Sequence, residues 1–180
     1  MKPVRDYVML FAIAGTVVIF DQWTKYIVRT RLAFGESWSP FPWLTPYARF
    51  VHWNNTGAAF GMFPQGSLVF TVIAILVTLA IIYYFPQVPR SERALRIALG
   101  LQLGGALGNL ISRLTVGAVT DFISLGTFPV FNVADSSISM GVAVLLIGMW
   151  QEERKTRRLA VERAADDTSS ETSEMEAPTE

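Results

Sequence analysis

Acidic side chains are scarce through the apolar body of this sequence. Between Tyr7 and Gln151 the only acids are Asp21, Glu36, Glu92, Asp121 and Asp135. Asp21, Asp121 and Asp135 lie at or inside apolar stretches, where a charge is costly and marks a functional site by default. Asp121 and Asp135 flank a turn holding Gly126 and Pro129, in the segments Val119-Thr-Asp-Phe-Ile123 and Phe131-Asn-Val-Ala-Asp135. Two carboxylates held close together cannot both ionise cheaply, so they share a proton. The ionised one can draw a proton from water. The protonated one can polarise a carbonyl and later serve a leaving amine. Either acid alone could instead cap a helix or pair with an Arg. Two at one membrane face, each beside an apolar segment, favour a catalytic carboxylate pair.

Other polar residues fall at spacings that could serve such a pair. Asn132 is three residues before Asp135 and shares its face on a helix. It could orient a carboxylate or hold substrate backbone, or it could be a helix N-cap after Pro129. Asp21 and Lys25 sit four apart, as expected for a structural ion pair at the end of a helix; contact with substrate is the other reading. Asn109 and Arg113 repeat that spacing. Arg113 is either an interfacial anchor or a group that binds carbonyls or a lipid headgroup. The single histidine, His52, excludes a multi-histidine metal site within one chain, and the absence of cysteine excludes disulfides and thiol chemistry. Asn54-Asn-Thr-Gly57 reads as a tight turn. No Walker loop, dinucleotide fingerprint or HExxH appears.

The elements that must position these residues are membrane spans. Half of the 180 residues are hydrophobic and the mean hydropathy is positive, unusual for a soluble chain. Four apolar segments, at about 7–28, 67–85, 94–114 and 130–150, approach or exceed the ~20 residues a spanning helix needs. The first is followed by no small-x-small cleavage site, which disfavours a cleaved leader. The third is rich in small residues, and Gly104 and Gly108 give it a face for close helix approach. Residues 29–66 hold four prolines, and residues 34–53 alone hold seven of the aromatic residues. They suggest a platform at headgroup level containing a short strand over Tyr47–Trp53. Residues 1–158 therefore form one membrane domain. Residues 159–180 read as an acidic, disordered tail.

Lys and Arg set the orientation. The N-terminus, the loop around 90–96 and the run after 154 carry ten, and the opposite side carries five. The positive-inside rule then puts both termini in the cytoplasm. The same assignment gathers Asp21, the aromatic section, Asp121 and Asp135 at the outer face, although the charge count did not use them. A transporter or proton-coupled channel would also hold intramembrane acids, but these acids cluster at one end of the spans, with none at a midplane. A membrane scaffold would leave the paired acids unexplained.

Five segments together resemble the bacterial lipoprotein signal peptidases (signal peptidase II). They are Asp21-Gln-Trp-Thr-Lys25, Asn55-Thr-Gly-Ala-Ala-Phe60, Gly104-Gly-Ala-Leu-Gly-Asn109 with Arg113, Val119-Thr-Asp-Phe122 and Phe131-Asn-Val-Ala-Asp135. Their order and spacing match over about residues 7–150. The resemblance implies a mainly α membrane protein of four transmembrane helices, a small extracytoplasmic β-sheet platform and a short extracytoplasmic helix. It implies a bacterial cytoplasmic-membrane aspartic endopeptidase with its site near the outer face. Such an enzyme cuts diacylglyceryl-modified prolipoproteins just before the lipidated cysteine. Asp121 and Asp135 correspond to the catalytic pair. Asn55, Gly57, Asn109, Arg113 and Asn132 correspond to pocket residues, and Asp21 and Lys25 to supporting ones. No metal, cofactor or nucleic acid is implied; the partners are the prolipoprotein and membrane lipids, and a monomer is the default. Ser112 departs from the family's usual Asp, and Ser112→Asp is expected to be tolerated.

Overall fold

The computed structural model describes residues 2–57 and 66–175. In chain order it contains α1 (Lys2–Arg31), β1 (Ser37–Trp38), a 3-10 turn at Pro42–Leu44, β2 (Ala48–Asn55), α2 (Ser67–Tyr84), a second 3-10 turn at Phe85–Gln87, α3 (Arg93–Val116), β3 (Val119–Leu125) and α4 (Val133–Met175). The chain divides into two compact units, Met1–Val144 and Leu145–Glu180. The sheet and the polar residues discussed above all lie in the first.

Four helical segments are long and apolar enough to cross a membrane: Tyr7–Arg31, Ser67–Gln87, Arg93–Val116 and Val133–Arg157. In α3, 56% of the apolar window is buried, against 17% in each of the others. That makes α3 the central helix and leaves the others with broad faces for lipid. Its small residues are the cause. A Cβ on Gly104 would lie 2.6 Å from Val17 Cβ, and one on Gly105 would lie 2.5 Å from the Ala134 carbonyl oxygen. Backbones approach here at distances only glycine allows, which supplies packing between helices where lipid gives no hydrophobic drive. At the opposite end of the spans from the sheet, Leu10, Leu103, Ile81 and Phe85 form a buried apolar cluster. The Arg96 guanidinium lies 4.3 Å from the Phe85 ring centroid there.

α3 ends at Gly117, whose φ of 82° is left-handed and whose N–H donates to the Arg113 carbonyl. A glycine in this conformation stops a helix and turns the chain sharply. β3 begins two residues later and delivers Asp121 close to the end of α3. The sheet is antiparallel in the order β1-β2-β3, with Trp53 opposite Asp121 and Asn55 opposite Val119. A bulge between Phe50 and Trp53 re-aims β2 beside Asp121. After the turn at Gly126 (φ 51°), Phe131 pairs back onto Ile123, and α4 starts at Val133.

The sheet is larger than the single strand read from sequence. In the extramembrane section the described residues hold one short helical element, the 3-10 turn at Pro42–Leu44; residues 58–65 lie outside the described part. The fourth span begins at Val133 rather than 130 because Pro129 and the cap at Asn132 precede it. α4 continues helically to Met175, past residue 159, where the sequence reading begins the acidic tail. Residues 152–165 are rich in Ala, Glu and Arg, strong helix formers that carry the helix past the apolar span without apolar packing. Residues 176–180 lie outside the described part.

Candidate active site

Asp135 sits in the first turn of α4 and forms a reciprocal cap with Asn132. The Asp135 N–H donates to Asn132 Oδ1 at 3.0 Å, and the Asn132 N–H donates to Asp135 Oδ2 at 3.2 Å. This is a capping box with Asn and Asp in place of the usual Ser and Glu. The cap leaves the Asn132 amide NH2 facing the other acid. Asn132 Nδ2 donates to Asp121 Oδ1 at 2.6 Å. One side chain thus touches both carboxyl-bearing residues.

Asp121 is 2% exposed. Its second oxygen, Oδ2, accepts from Asn55 Nδ2 at 3.0 Å. Asn55 is itself fixed by an Asx turn, in which the Gly57 N–H donates to Asn55 Oδ1 at 2.9 Å. Burial, reinforced by the negative charge of Asp135, pushes the Asp121 carboxyl up to about 6 from an ordinary value of 3.8. The hydrogen bonds from Asn55 and Asn132 and the charge of Lys25 oppose that rise.

Asn109, on α3, joins the two acids to the rest of the fold. Its Nδ2 donates to Asp135 Oδ1 at 2.8 Å, and its Oδ1 accepts from Asn132 Nδ2 at 3.2 Å and from Lys25 Nζ at 2.9 Å. A lysine ammonium only donates, so it fixes which end of the Asn109 amide faces it and turns the NH2 toward Asp135. Lys25 also contacts Asp21 Oδ2 at 2.8 Å, and both side chains are fully buried. Asp21 Oδ1 accepts the Ala134 N–H at 3.0 Å. The first helix therefore caps the fourth, one residue from Asp135. Gly108 leaves room for this: a Cβ there would lie 2.7 Å from Asp21 Oδ2.

A cavity of about 720 Å³ opens over this cluster. Asp121, Asp135, Asn55, Gly57, Asn109 and Arg113 line it. Asn132, Asp21 and Lys25 are fully buried behind its wall. All nine candidate residues thus meet in one place. Much of the remaining wall is apolar, with Phe70 from α2, Phe131 and Ile138. Arg113 brings a buried Nε that has no hydrogen-bond partner among the described residues, and its guanidinium lies 5.8 Å from the Phe70 ring centroid. His52 belongs to the platform, with Nδ1 at 2.9 Å from the Leu32 carbonyl oxygen.

Sequence reasoning missed Gln22. Its Nε2 donates to Asp21 Oδ2 at 2.9 Å and to the Gly108 carbonyl at 2.8 Å, tying α1 to α3. A glutamine beside a buried acid gives no signal in sequence until the partner helix is known. Ser112, fully buried, donates to the Gly108 carbonyl at 3.1 Å and lies 3.4 Å from Gln22 Nε2.

The arrangement offers two carboxyls, held by three asparagine amides, at the wall of a partly apolar cavity beside a guanidinium whose buried Nε has no partner among the described residues. It can activate water and stabilise a polarised carbonyl. Comparison with known proteins shows which family the chain resembles. Residues 13–151 match the family described as Signal peptidase (SPase) II. A lipoprotein signal peptidase of Halalkalibacterium halodurans is 36% identical over 152 residues, covering 82% of this chain and 96% of that protein. One from Geobacillus kaustophilus is 42% identical over 142 residues, covering 77% and 90%. A solved bacterial membrane enzyme, determined by the in meso method at 2.3 Å resolution, superposes with a TM-score of 0.73 at 35% identity, covering 80% of this chain and 88% of that one. From its family match and from relatives aligned along most of its length, this chain belongs to the signal peptidase II family.

Proposed function

We propose that this chain removes signal peptides from prolipoproteins by an aspartic mechanism in which Asp121 and Asp135 activate water. The observation that carries the reading is Asn132, which hydrogen-bonds to both acids within one cavity. The pair shares a proton. Water adds to the scissile carbonyl carbon as the ionised carboxylate takes its proton. The protonated carboxyl donates to the carbonyl oxygen, and the tetrahedral intermediate collapses as a proton passes to the departing nitrogen. No covalent enzyme intermediate forms.

A scissile carbonyl inside a helix is already hydrogen-bonded, so the segment must unwind to be cut. Its freed backbone groups then need partners. The unpartnered Arg113 Nε is a donor for a substrate carbonyl, and Asn55 and Gly57 line the same wall. The apolar remainder, from Phe70 to Ile138, suits the diacylglyceryl group of a lipid-modified cysteine, with cleavage just before that residue. The Lys and Arg distribution supports cytoplasmic termini and a site near the outer face of the membrane. We read the protein as a monomer.

Purified protein incubated with a diacylglyceryl-modified precursor tests the assignment. Cleavage before the lipidated cysteine is expected, with at least a hundredfold loss in Asp121→Asn and in Asp135→Asn, in line with the weight of acid–base groups. Wild-type rates in either folded variant would refute the pair.

A further inference from the structure

A second cavity, of about 610 Å³, lies between the end of α1 and the sheet. Thr24, Ile27 and Arg31 wall it on the helix side, and Trp38, Phe50 and Phe122 on the sheet side. It shares no lining residue with the cavity beside Asp121 and Asp135. Ile27, Trp38 and Phe50 are exposed, so it opens on the molecular surface. The Phe50 and Phe122 rings lie 6.5 Å apart, and Trp38 stacks on Phe50 at 6.0 Å.

Its depth is set by the span. Tyr7–Arg31 has 25 residues, about 37 Å of helix against ~30 Å of hydrocarbon. Arg31 closes that span at the headgroup level. Thr24 stands about 10 Å deeper along the helix, level with the first carbons of an acyl chain. Trp23 and Tyr26 face outward along the same turns, as aromatic residues do at a membrane interface. Arg31 forms no hydrogen bond or ion pair among the described residues, and no acid lines the cavity. A cation at the mouth and apolar walls below it complement one class of molecule.

We infer that this cavity binds an anionic phospholipid of the surrounding bilayer, with Arg31 on the phosphate headgroup and an acyl chain running past Ile27 toward Thr24 between α1 and the sheet. The inference goes beyond peptidase activity and does not depend on it. The lipid would lie against Phe122, next in β3 to Asp121, and so would brace the strand from the side away from the catalytic cavity.

Native mass spectrometry of the full chain in detergent, titrated with dioleoylphosphatidylglycerol or dioleoylphosphatidylcholine, tests it. One saturable phosphatidylglycerol is expected, preferred about fivefold over phosphatidylcholine, the weight of one cationic contact. Arg31→Gln should remove the preference and Arg31→Lys should restore it, with prolipoprotein cleavage unchanged in both. Ile27→Trp, which fills the cavity, should weaken both lipids. Acyl-chain photo-cross-links should fall on Ile27, Trp38 or Phe50. Equal binding of the two lipids, a preference that survives Arg31→Gln, or cross-links at the walls of the Asp121 cavity would each overturn it. Loss of cleavage in Arg31→Gln would also do so, by placing the groove on the substrate's path.

Discussion

Replacing Asp121 by Asn should destroy activity and yet stabilise the protein at neutral and alkaline pH. The Asp121 carboxyl is held near 6 against an ordinary value of 3.8, a gap of about 2 pH units. A folded-state value above the unfolded one means that the folded chain binds this proton more tightly. The associated stability is fully present below pH ~4 and is lost as pH rises through about 6. At 1.36 kcal/mol per unit, the ionised side chain costs the folded state about 3 kcal/mol at pH 8. Asn carries no charge, so the variant escapes this cost. One of its two positions facing the Asn55 and Asn132 amides must, however, set NH2 against NH2. That loses roughly 1 kcal/mol at every pH.

The balance gives a crossover. Near pH 4 Asp121→Asn should be equal to or slightly less stable than wild type, and at pH 8 more stable by about 2 kcal/mol. Thermal unfolding in one detergent, followed from pH 4 to 8 for both proteins, measures it. Cleavage assayed on the same samples should be absent from the variant throughout. Parallel stability curves across that range would show that Asp121 is not a buried, proton-holding acid, and the reasoning about the shared proton would fail with it.

Asn132 separates holding the helix from holding the acids. Asn132→Ser keeps a good N-cap and should unfold within about 1 kcal/mol of wild type, while Asn132→Ala loses the cap as well and should fall by a further ~1 kcal/mol. Both lose the amide donor to Asp121, so both should lose tenfold or more in kcat, with the Asp121 midpoint moving above 6 because a bond to the ionised form is gone; wild-type kcat in Asn132→Ser would refute the role. Lys25→Met leaves Asp21 as an uncompensated buried charge and should cost roughly 3–5 kcal/mol in chemical or thermal unfolding. Gly108→Ala places a methyl against the Asp21 carboxylate and should lower both melting temperature and cleavage, by about 1–3 kcal/mol of overpacking, whereas Gly15→Ala, with open space around its Cβ position, should leave cleavage unaffected.

Charge was the legible part of the site. In an apolar sequence each acid is conspicuous, and Asp121 and Asp135 could be paired before any coordinates because few other acids were available. The four spans were legible for the same reason, since runs of apolar residues have few alternatives. The sheet was not. β1 has two residues and β3 is almost wholly buried, so neither shows the alternation that reveals a half-exposed strand. Gln22 was invisible because a neutral amide is informative only through its partners.

The buried polar residues do two jobs with one set of bonds. Asp21 caps α4 from α1, Lys25 crosses from α1 to Asn109 on α3, and Asn109 and Asn132 reach the two acids. Burying this many polar groups at the end of a membrane bundle is costly unless every one finds a partner. Helices in lipid gain little from apolar contact with one another, so satisfied polar contacts and close glycine packing must decide how they assemble. The bonds that bring α1, α3 and α4 to one point are therefore the bonds that aim the carboxyls. A chain that assembled its helices in another register would leave Lys25, Asp21 and both acids unpaired at once. Assembly and a competent active site are thus expected to be lost together when the inner layer of Asp21 and Lys25 is altered. They should come apart only at the outer layer, Asp121, Asp135 and Arg113, whose free valences face the cavity.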